Sequence, residues 1–188
     1  MLAKGLDFPQ VTVVGVLNAD VLLSFPDYRA RERTFQLLVQ VAGRAGRGEH
    51  RGRVVIQTSR PEDFCITTAA SLDYEGFATR ELSFRKSLHY PPFGRLLQIT
   101  AQARNERSAY EKSREIAKAL HEAADSTIQI LGPAPTPIAK LRGYYRWHIL
   151  IKAPTTTKIH EVARQCEEHL RSTGKVRVTS DVDPYSML

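Results

Sequence analysis

A pair of prolines divides this sequence in two. At Tyr90-Pro-Pro-Phe-Gly94, two consecutive residues lack an amide proton and a glycine follows closely. Neither a helix nor a strand ladder runs easily through such a stretch. Before it, apolar residues fall in continuous runs or at helical spacing; after it, they alternate. The break predicts two domains in the 188 residues, 1–88 and 89–188.

The first half reads as α/β. Residues 11–17 form a nearly unbroken aliphatic run, the pattern of a strand buried on both faces of a parallel sheet. A second such run covers residues 53–58. Between them a helix is predicted over residues 31–42, with Phe35, Leu38, Val39 and Ala42 on its apolar face. Two more helices are predicted, over residues 63–71 and 73–88. The second carries Tyr74, Phe77, Phe84 and Leu88 at helical spacing.

In the second half, Leu97, Ile99, Ala101 and Ala103 alternate with Gln98, Thr100 and Gln102, which predicts a half-buried strand. Ser108 and Glu111 have the spacing of a capping box, opening a helix through Ile116, Leu120 and Ala123. A short strand over 127–131 leads into Pro133, Pro135 and Pro137. Strands over 138–142 and 145–153 then flank a turn at Gly143-Tyr144. A helix with Ile159, Val162, Ala163, Cys166 and Leu170 on one stripe is capped by Thr155, Thr156 and Thr157. Val176 and Val178 begin a last strand. The order β-α-β-β-α-β predicts an α+β, ferredoxin-like domain.

Charge bears on the partner. The net charge is +7 and the pI about 9.6. Residues 1–88 hold 12 Lys and Arg against 10 Asp and Glu, residues 89–188 hold 15 against 10, so the excess lies in the second half. A basic module favours a polyanion. No apolar run is long enough to span a bilayer, and Lys4, Gly5 and Asp7 do not begin a secretory signal, so a cytoplasmic protein with no membrane partner is expected. Cys65 and Cys166 are too far apart in sequence to form a CxxC metal site, and they read as plain thiols.

The most informative stretch is QVAGRAGRG at residues 40–48. On a helix, Gln40, Arg44 and Arg47 project from one side, with Gly43 and Gly46 beside them. Each glycine costs a helix about 1 kcal/mol relative to alanine. Two such penalties next to two arginines suit a close approach to a triphosphate, whose developing γ-phosphoryl charge the guanidiniums neutralise. The plainer alternative is a frayed, arginine-rich helix end.

That stretch resembles motif VI of superfamily 2 helicases, and KGLDFP at residues 4–9 resembles their motif V. Further segments resemble the PriA family of primosomal replication-restart helicases: VLNAD at 16–20, SFPDYRARERTF at 24–35, YPPFGR at 90–95, LGPAP at 131–135 and DVDP at 181–184. The resemblance covers essentially the whole chain. It implies a partial RecA-like lobe followed by a domain similar in fold to a ribosomal protein of the S10 type. It implies Arg44 and Arg47 as arginine fingers with Gln40, nucleotide contacts at Gly5, Asp7, Gly43 and Gly46, and a phosphate of DNA for Lys4. ATP, magnesium and zinc are implied for the parent protein, and a bacterial, nucleoid-associated setting. The family's zinc-binding cysteines are not in this sequence. Nor is a G-x-x-x-x-G-K-[ST] loop, so residues preceding Met1 are expected to complete the motor, and the chain as written is expected not to hydrolyse ATP.

The hairpin is a second candidate site. Lys140 and Arg142 are expected on one strand face, and Arg146, His148 and Lys152 on one face of the next, with Trp147, Ile149 and Ile151 turned into a core. With Tyr144 and Tyr145 nearby, such a face suits phosphate contacts and base stacking; a solvated basic face is the plainer alternative. The resemblance implies branched forks and single-stranded/duplex junctions as the DNA, with the single-stranded DNA-binding protein and other primosome proteins as partners. Lys158 and His160 are implied to lie near the pocket for that binding protein's acidic tail, and Thr156 stands where a basic residue is expected. The rival from another class is a non-enzymatic nucleic-acid-binding or scaffold module, which has no need of paired arginine fingers.

Overall fold

Four-residue strands of β-branched residues need a partner to be stable, and in the first half of the chain two of them find each other. In a computed structural model that describes residues 11–43 and 52–187, β1 (Val13–Val16) pairs in parallel with β2 (Arg53–Ile56), Val13 opposite Arg53 and Val16 opposite Ile56. Parallel strands require a crossover, and α1 (Asp20–Leu23) and α2 (Ala30–Ala42) supply it. The Asp20 carboxylate ties the two strand exits together, accepting from Thr58 Oγ1 at 2.6 Å and the Ser59 amide at 2.7 Å. Those bonds hold its pKa below the usual carboxylate value. Two helices follow, α3 (Phe64–Ala70), capped by Asp63, and α4 (Tyr74–Ser87). Ala19, Phe35, Leu38, Cys65, Ile66, Ala69 and Phe77 form the core of this unit, with the Phe35 and Phe77 rings stacked 4.1 Å apart.

Two expectations change here. Residues 11–17 do not form a strand buried on both faces: β1 alternates exposed and half-buried residues, and Val13 is 59% exposed. Among the described residues β2 is its one neighbour. Of the four apolar residues expected along α4, only Phe77 is buried; Tyr74, Phe84 and Leu88 are exposed, Leu88 lying just beyond the helix.

The chain divides into two compact units, Met1–Phe84 and Arg85–Leu188. In the second, β3 (Arg95–Ala103), α5 (Glu106–Ala123), β4 (Gln129–Leu141), β5 (Tyr144–Ala153), α6 (Thr156–Gln165), α7 (Glu167–Leu170) and β6 (Val176–Val182) follow in order. The four strands form one antiparallel sheet in the order β4-β5-β3-β6. The helices cover one face, burying Leu97, Ile99, Ile116, Leu120, Ile149, Ile151, Ile159, Val162 and Cys166.

Burial departs from pattern in β3. Gln98 and Thr100 were expected to face water, yet both are buried, and so are Leu96, Leu150 and Lys152 on the same face, so this inner part of the face is closed to water. The cap of α5 is Asn105, which accepts from the Ser108 amide at 3.2 Å; the expected capping box at Ser108 begins two residues inside the helix. The turn is Arg142-Gly143, not Gly143-Tyr144: Leu141 pairs with Tyr144, and the two residues between have φ of 50° and 84°. Both angles belong to the turn that matches strand twist in a two-residue hairpin. The proline stretch breaks β4 into bulges without ending it.

These pairings predict a hydrogen-exchange contrast. Amides of β3, bonded on both sides, exchange only on wide opening, whereas a four-residue pair opens locally. Protection at residues 13–16 is expected to be at least about a hundredfold lower than at residues 97–101. Equal protection in a monomeric sample contradicts that contrast.

Candidate nucleic-acid interface

Residues directly opposite each other across an antiparallel sheet share a face, and this rule builds the site. Gln102 of β3 lies opposite Arg146 of β5 on one side and Arg177 of β6 on the other. The three side chains therefore form a row across the face that the helices leave free. One row inward come His148, Thr100 and Thr179; the next holds Leu150, Gln98 and Asp181. Beyond the arginine row, Arg104 lies over the Tyr144 ring with its guanidinium carbon 5.7 Å from the centroid. Among the described residues, Arg104, Arg142, Arg146 and Arg177 form no ion pair. This end of the sheet thus carries cationic charge that no carboxylate neutralises.

The inner rows are drier. Gln98 is buried and its Oε1 lacks a hydrogen-bond partner, as does Nδ1 of the half-buried His148. Burial, and then the positive charge of Arg146, hold the His148 imidazole below the usual histidine pKa. The histidine is therefore neutral near pH 7 and adds nothing to the basic row.

Of the hairpin residues expected on two basic faces, Arg146, His148 and Lys152 do share one face of β5, with Trp147, Ile149 and Ile151 on the other, whereas Lys140 and Arg142 do not share a face. Lys140 pairs with Tyr145 on the helix-covered side, its Nζ 3.2 Å from the tyrosine hydroxyl and 4.5 Å from the ring centroid. Arg142 sits in the turn and on neither strand face. Arg146 alone reaches the free face at its basic end. Lys152 is buried: its ammonium donates to the Leu88 carbonyl at 3.1 Å and lies 3.8 Å from the Tyr90 ring centroid. Desolvation lowers its pKa. Lys152 therefore anchors the segment before β3 and presents no charge to a ligand. Tyr144 and Tyr145 are successive residues and point to opposite sides of the sheet.

Arg104, Gln102 and Arg177 were not singled out from sequence. The cross-strand register that unites them is set by tertiary pairing, and no local pattern encodes it. A cue existed for Arg177, since a polar residue alternating with buried Val176 in an antiparallel strand must face away from the core.

On the helix-covered side of the same sheet end, Arg104, Asn105, Glu106, Arg107, Tyr110, Tyr145 and Trp147 line a shallow groove of about 670 Å³. The Tyr110 and Trp147 rings meet at 4.7 Å, tilted by 51°. Arg107 is bound to Glu111 at 2.7 Å, whereas Arg114 reaches over Tyr110 at 5.8 Å.

The other assigned residues lie elsewhere. Lys158 Nζ donates to Asp125 Oδ2 at 2.8 Å and approaches Glu161 at 3.5 Å. Its charge is thus committed within the chain, and the same bond, with two from Thr127, holds Asp125 down to about 2. Thr156 is half-buried in the first turn of α6, and His160 is exposed one turn on. Gln40 is exposed near the end of α2, whose C-cap is Gly43. Lys4, Gly5, Asp7, Arg44, Gly46 and Arg47 lie outside the described residues. No helix among the described residues is long and apolar enough to cross a membrane.

Residues 86–185 match the family described as the primosomal protein N C-terminal domain. Over 187 residues the chain is 42% identical to the replication restart protein PriA of Synechocystis sp., a match covering 100% of this chain and 22% of that protein. It is 39% identical to the replication restart protein PriA of Bacillus subtilis, covering 100% of this chain and 24% of the relative. Identity to the replication restart protein PriA of Haemophilus influenzae is also 39%, covering 100% and 26%. The chain thus spans about a quarter of the length of these relatives. Among solved structures, the de novo designed protein Foldit4 superposes with a TM-score of 0.37 at 12% identity, covering 47% of this chain and 94% of that one. A likeness so loose carries no argument.

Proposed function

This chain belongs to the family of the primosomal protein N C-terminal domain, and on that premise we propose that it is the C-terminal portion of an ATP-dependent DNA helicase that restarts stalled replication. The parent is proposed to recognise branched forks, to meet single-stranded DNA-binding protein there, and to start primosome assembly.

Within that reading, the first unit is part of a RecA-like lobe. The parallel pairing of β1 and β2 with helices in the crossover is compatible with one. Arg44 and Arg47 are proposed to supply positive charge to ATP and its magnesium, with Gln40, Gly43 and Gly46 beside them; this role rests on the sequence motif. The 188 residues contain no phosphate-cradling G-x-x-x-x-G-K-[ST] loop, so the chain alone is proposed not to turn over ATP.

The second unit is proposed to be ferredoxin-like and to hold DNA through its free sheet face. The β-α-β-β-α-β order with the strands arranged β4-β5-β3-β6 supports the first part. The observation that carries the second is the unpaired row of Arg146, Gln102 and Arg177, with Arg104 beside it. Arginine forks match phosphate oxygens, and an amide between them adds a donor without adding bulk. Phosphate contacts fix position on DNA without reading sequence, as a protein acting at any fork requires.

The double substitution Arg146→Glu with Arg177→Glu tests this reading. Two lost phosphate contacts are expected to weaken binding of a forked DNA by tenfold or more near 50 mM salt, and to make the slope of log K against log salt shallower by about 1.5. Both residues are at least partly exposed, so circular dichroism melting is expected to stay within a few degrees. Unchanged affinity and slope would falsify the assignment of this face.

A further inference from the structure

We propose that the groove at the start of α5 stacks an unpaired base of single-stranded nucleic acid, a role resting on the proposed phosphate contacts of the neighbouring sheet face. Three aromatic side chains, Tyr110, Tyr145 and Trp147, line it; Trp147 packs against the small buried cluster of Ala101, Ala103, Ala109 and Val176 and stays half-buried, while Tyr110 and Tyr145 belong to no buried cluster. The tilt of 51° between Tyr110 and Trp147 leaves ring surface that the pair does not use. Tyr110 is 37% exposed on a helix whose other face is core. A flat π surface is the ligand such walls take best.

Charge selects the kind of ring. Arg114 and Lys140 stand beside the groove, each over one face of a lining ring, Tyr110 and Tyr145, and Arg104 lines its edge while turning its guanidinium toward Tyr144. The acids nearby are Glu106, which lines it, and Glu111, which is taken up by Arg107. Aromatic walls in a cationic rim fit a base whose phosphates are close by. A base inside a duplex has both faces covered, so the groove distinguishes single strands from duplex.

Continuity with the arginine row supports the same occupant. Tyr144, Tyr145 and Arg146 are successive residues of β5, so their side chains alternate across the sheet. Arg104 is the residue next to β3 at the same sheet end, lining the groove while its guanidinium lies over Tyr144 on the other side. A strand rounding this end past Arg104 places a phosphate near Arg146 and Arg177 and a base against Tyr145 and Trp147. The path joins two surfaces that otherwise have no common purpose.

The chain contains one tryptophan, Trp147, which makes the groove its own reporter. The test titrates the full 188-residue chain with a short oligo-dT and with an abasic oligonucleotide of equal length, following tryptophan fluorescence and, separately, anisotropy of a labelled strand. Oligo-dT is expected to quench Trp147 strongly and to bind about tenfold or more tightly than the abasic strand, which leaves the fluorescence nearly unchanged. Tyr145→Leu and Tyr110→Leu are each expected to reduce that preference while leaving abasic binding as it was. Two strands bound equally well, without quenching, overturn the base site but leave the phosphate face intact. Failure of both strands to bind overturns both. The comparison on the unsubstituted chain decides the matter even where a leucine variant does not fold.

Discussion

In the folded chain, Cys65 is expected to react with a maleimide about a thousandfold more slowly than a free thiol. The thiolate is the reacting species, and its fraction at neutral pH falls tenfold for each unit of pKa. Burial pushes the Cys65 thiol up from 9.0 to about 12, aided by the Asp63 carboxylate and opposed by Arg31. Its position in the first turn of α3 acts the other way, since a helix N-terminus favours an anion. Burial wins because the sulfur is wholly enclosed between α2 and α3 and spends its proton on the Arg31 carbonyl at 3.3 Å. Timed labelling at pH 7.5, with the two cysteine peptides resolved by mass, measures the rate. Cys166, also buried and also pushed up by desolvation, serves as an internal comparison. Prompt labelling of Cys65 without unfolding contradicts the expectation. The same shift implies a pH effect on stability. The folded-state pKa is raised, so the unfolded chain gives up this proton first. Stability from this group is complete below pH 9 and falls by about 1.4 kcal/mol per pH unit as pH rises from there toward about 12.

The second large effect is expected at Ile151. Its side chain is fully buried in the core of the second unit, opposite Leu97 on β3 and Ile130 on β4. Truncation to alanine removes three carbons from a site that two strands and two helices keep from collapsing. Ile151→Ala is therefore expected to cost about 3–4 kcal/mol. In urea, followed by Trp147 fluorescence so that only the second unit reports, the midpoint is expected to fall by about 1.5 M. Val13→Ala, at an exposed site on β1, provides the contrast and is expected to leave that midpoint where it was. A fall of less than about 0.5 M for Ile151→Ala means that the core relaxes around the cavity.

Much of the second unit was legible because its signals are local. The alternation in β3, the apolar stripe of α6 and the threonine ahead of it each announce an element within a few residues, and each element is there. What the sequence did not disclose depends on neighbours. Gln98 and Thr100 carry the mark of a solvent-facing row and are buried together with Leu96 and Leu150 on the same face, a surrounding that the alternation does not encode. Lys152 reads as one more surface cation until the Leu88 carbonyl, 64 residues away in the chain, and the Tyr90 ring are brought to it. The turn was misjudged by one residue. Glycine tolerates a positive φ anywhere, whereas the hairpin requires it at two successive positions and obtains the first from Arg142. In the first unit the aliphatic run at residues 11–17 signals a strand correctly but says nothing of how many neighbours it has. The candidate site suffered most from this limit. Sequence identified tyrosines and basic residues in the hairpin, but only the pairing of three strands makes a single row of Arg146, Gln102 and Arg177.

Strand β3 supplies alternate residues to two different tasks, Leu97, Ile99 and Ala101 to the side the helices cover and Gln98, Thr100 and Gln102 to the other side. An insertion or deletion of a single residue inside it, unless a bulge absorbed it, would exchange the two sets along one side of the change. Glutamines would enter the aliphatic core, and the arginine row would lose its centre. No compensating point substitution repairs such a swap. Length variation in this unit is therefore expected outside β3, at places such as the Arg142-Gly143 tip and the exposed segment at residues 171–175. Chains of different length descended from a common ancestor are expected to gain and lose residues there, while the nine residues of β3 keep their count.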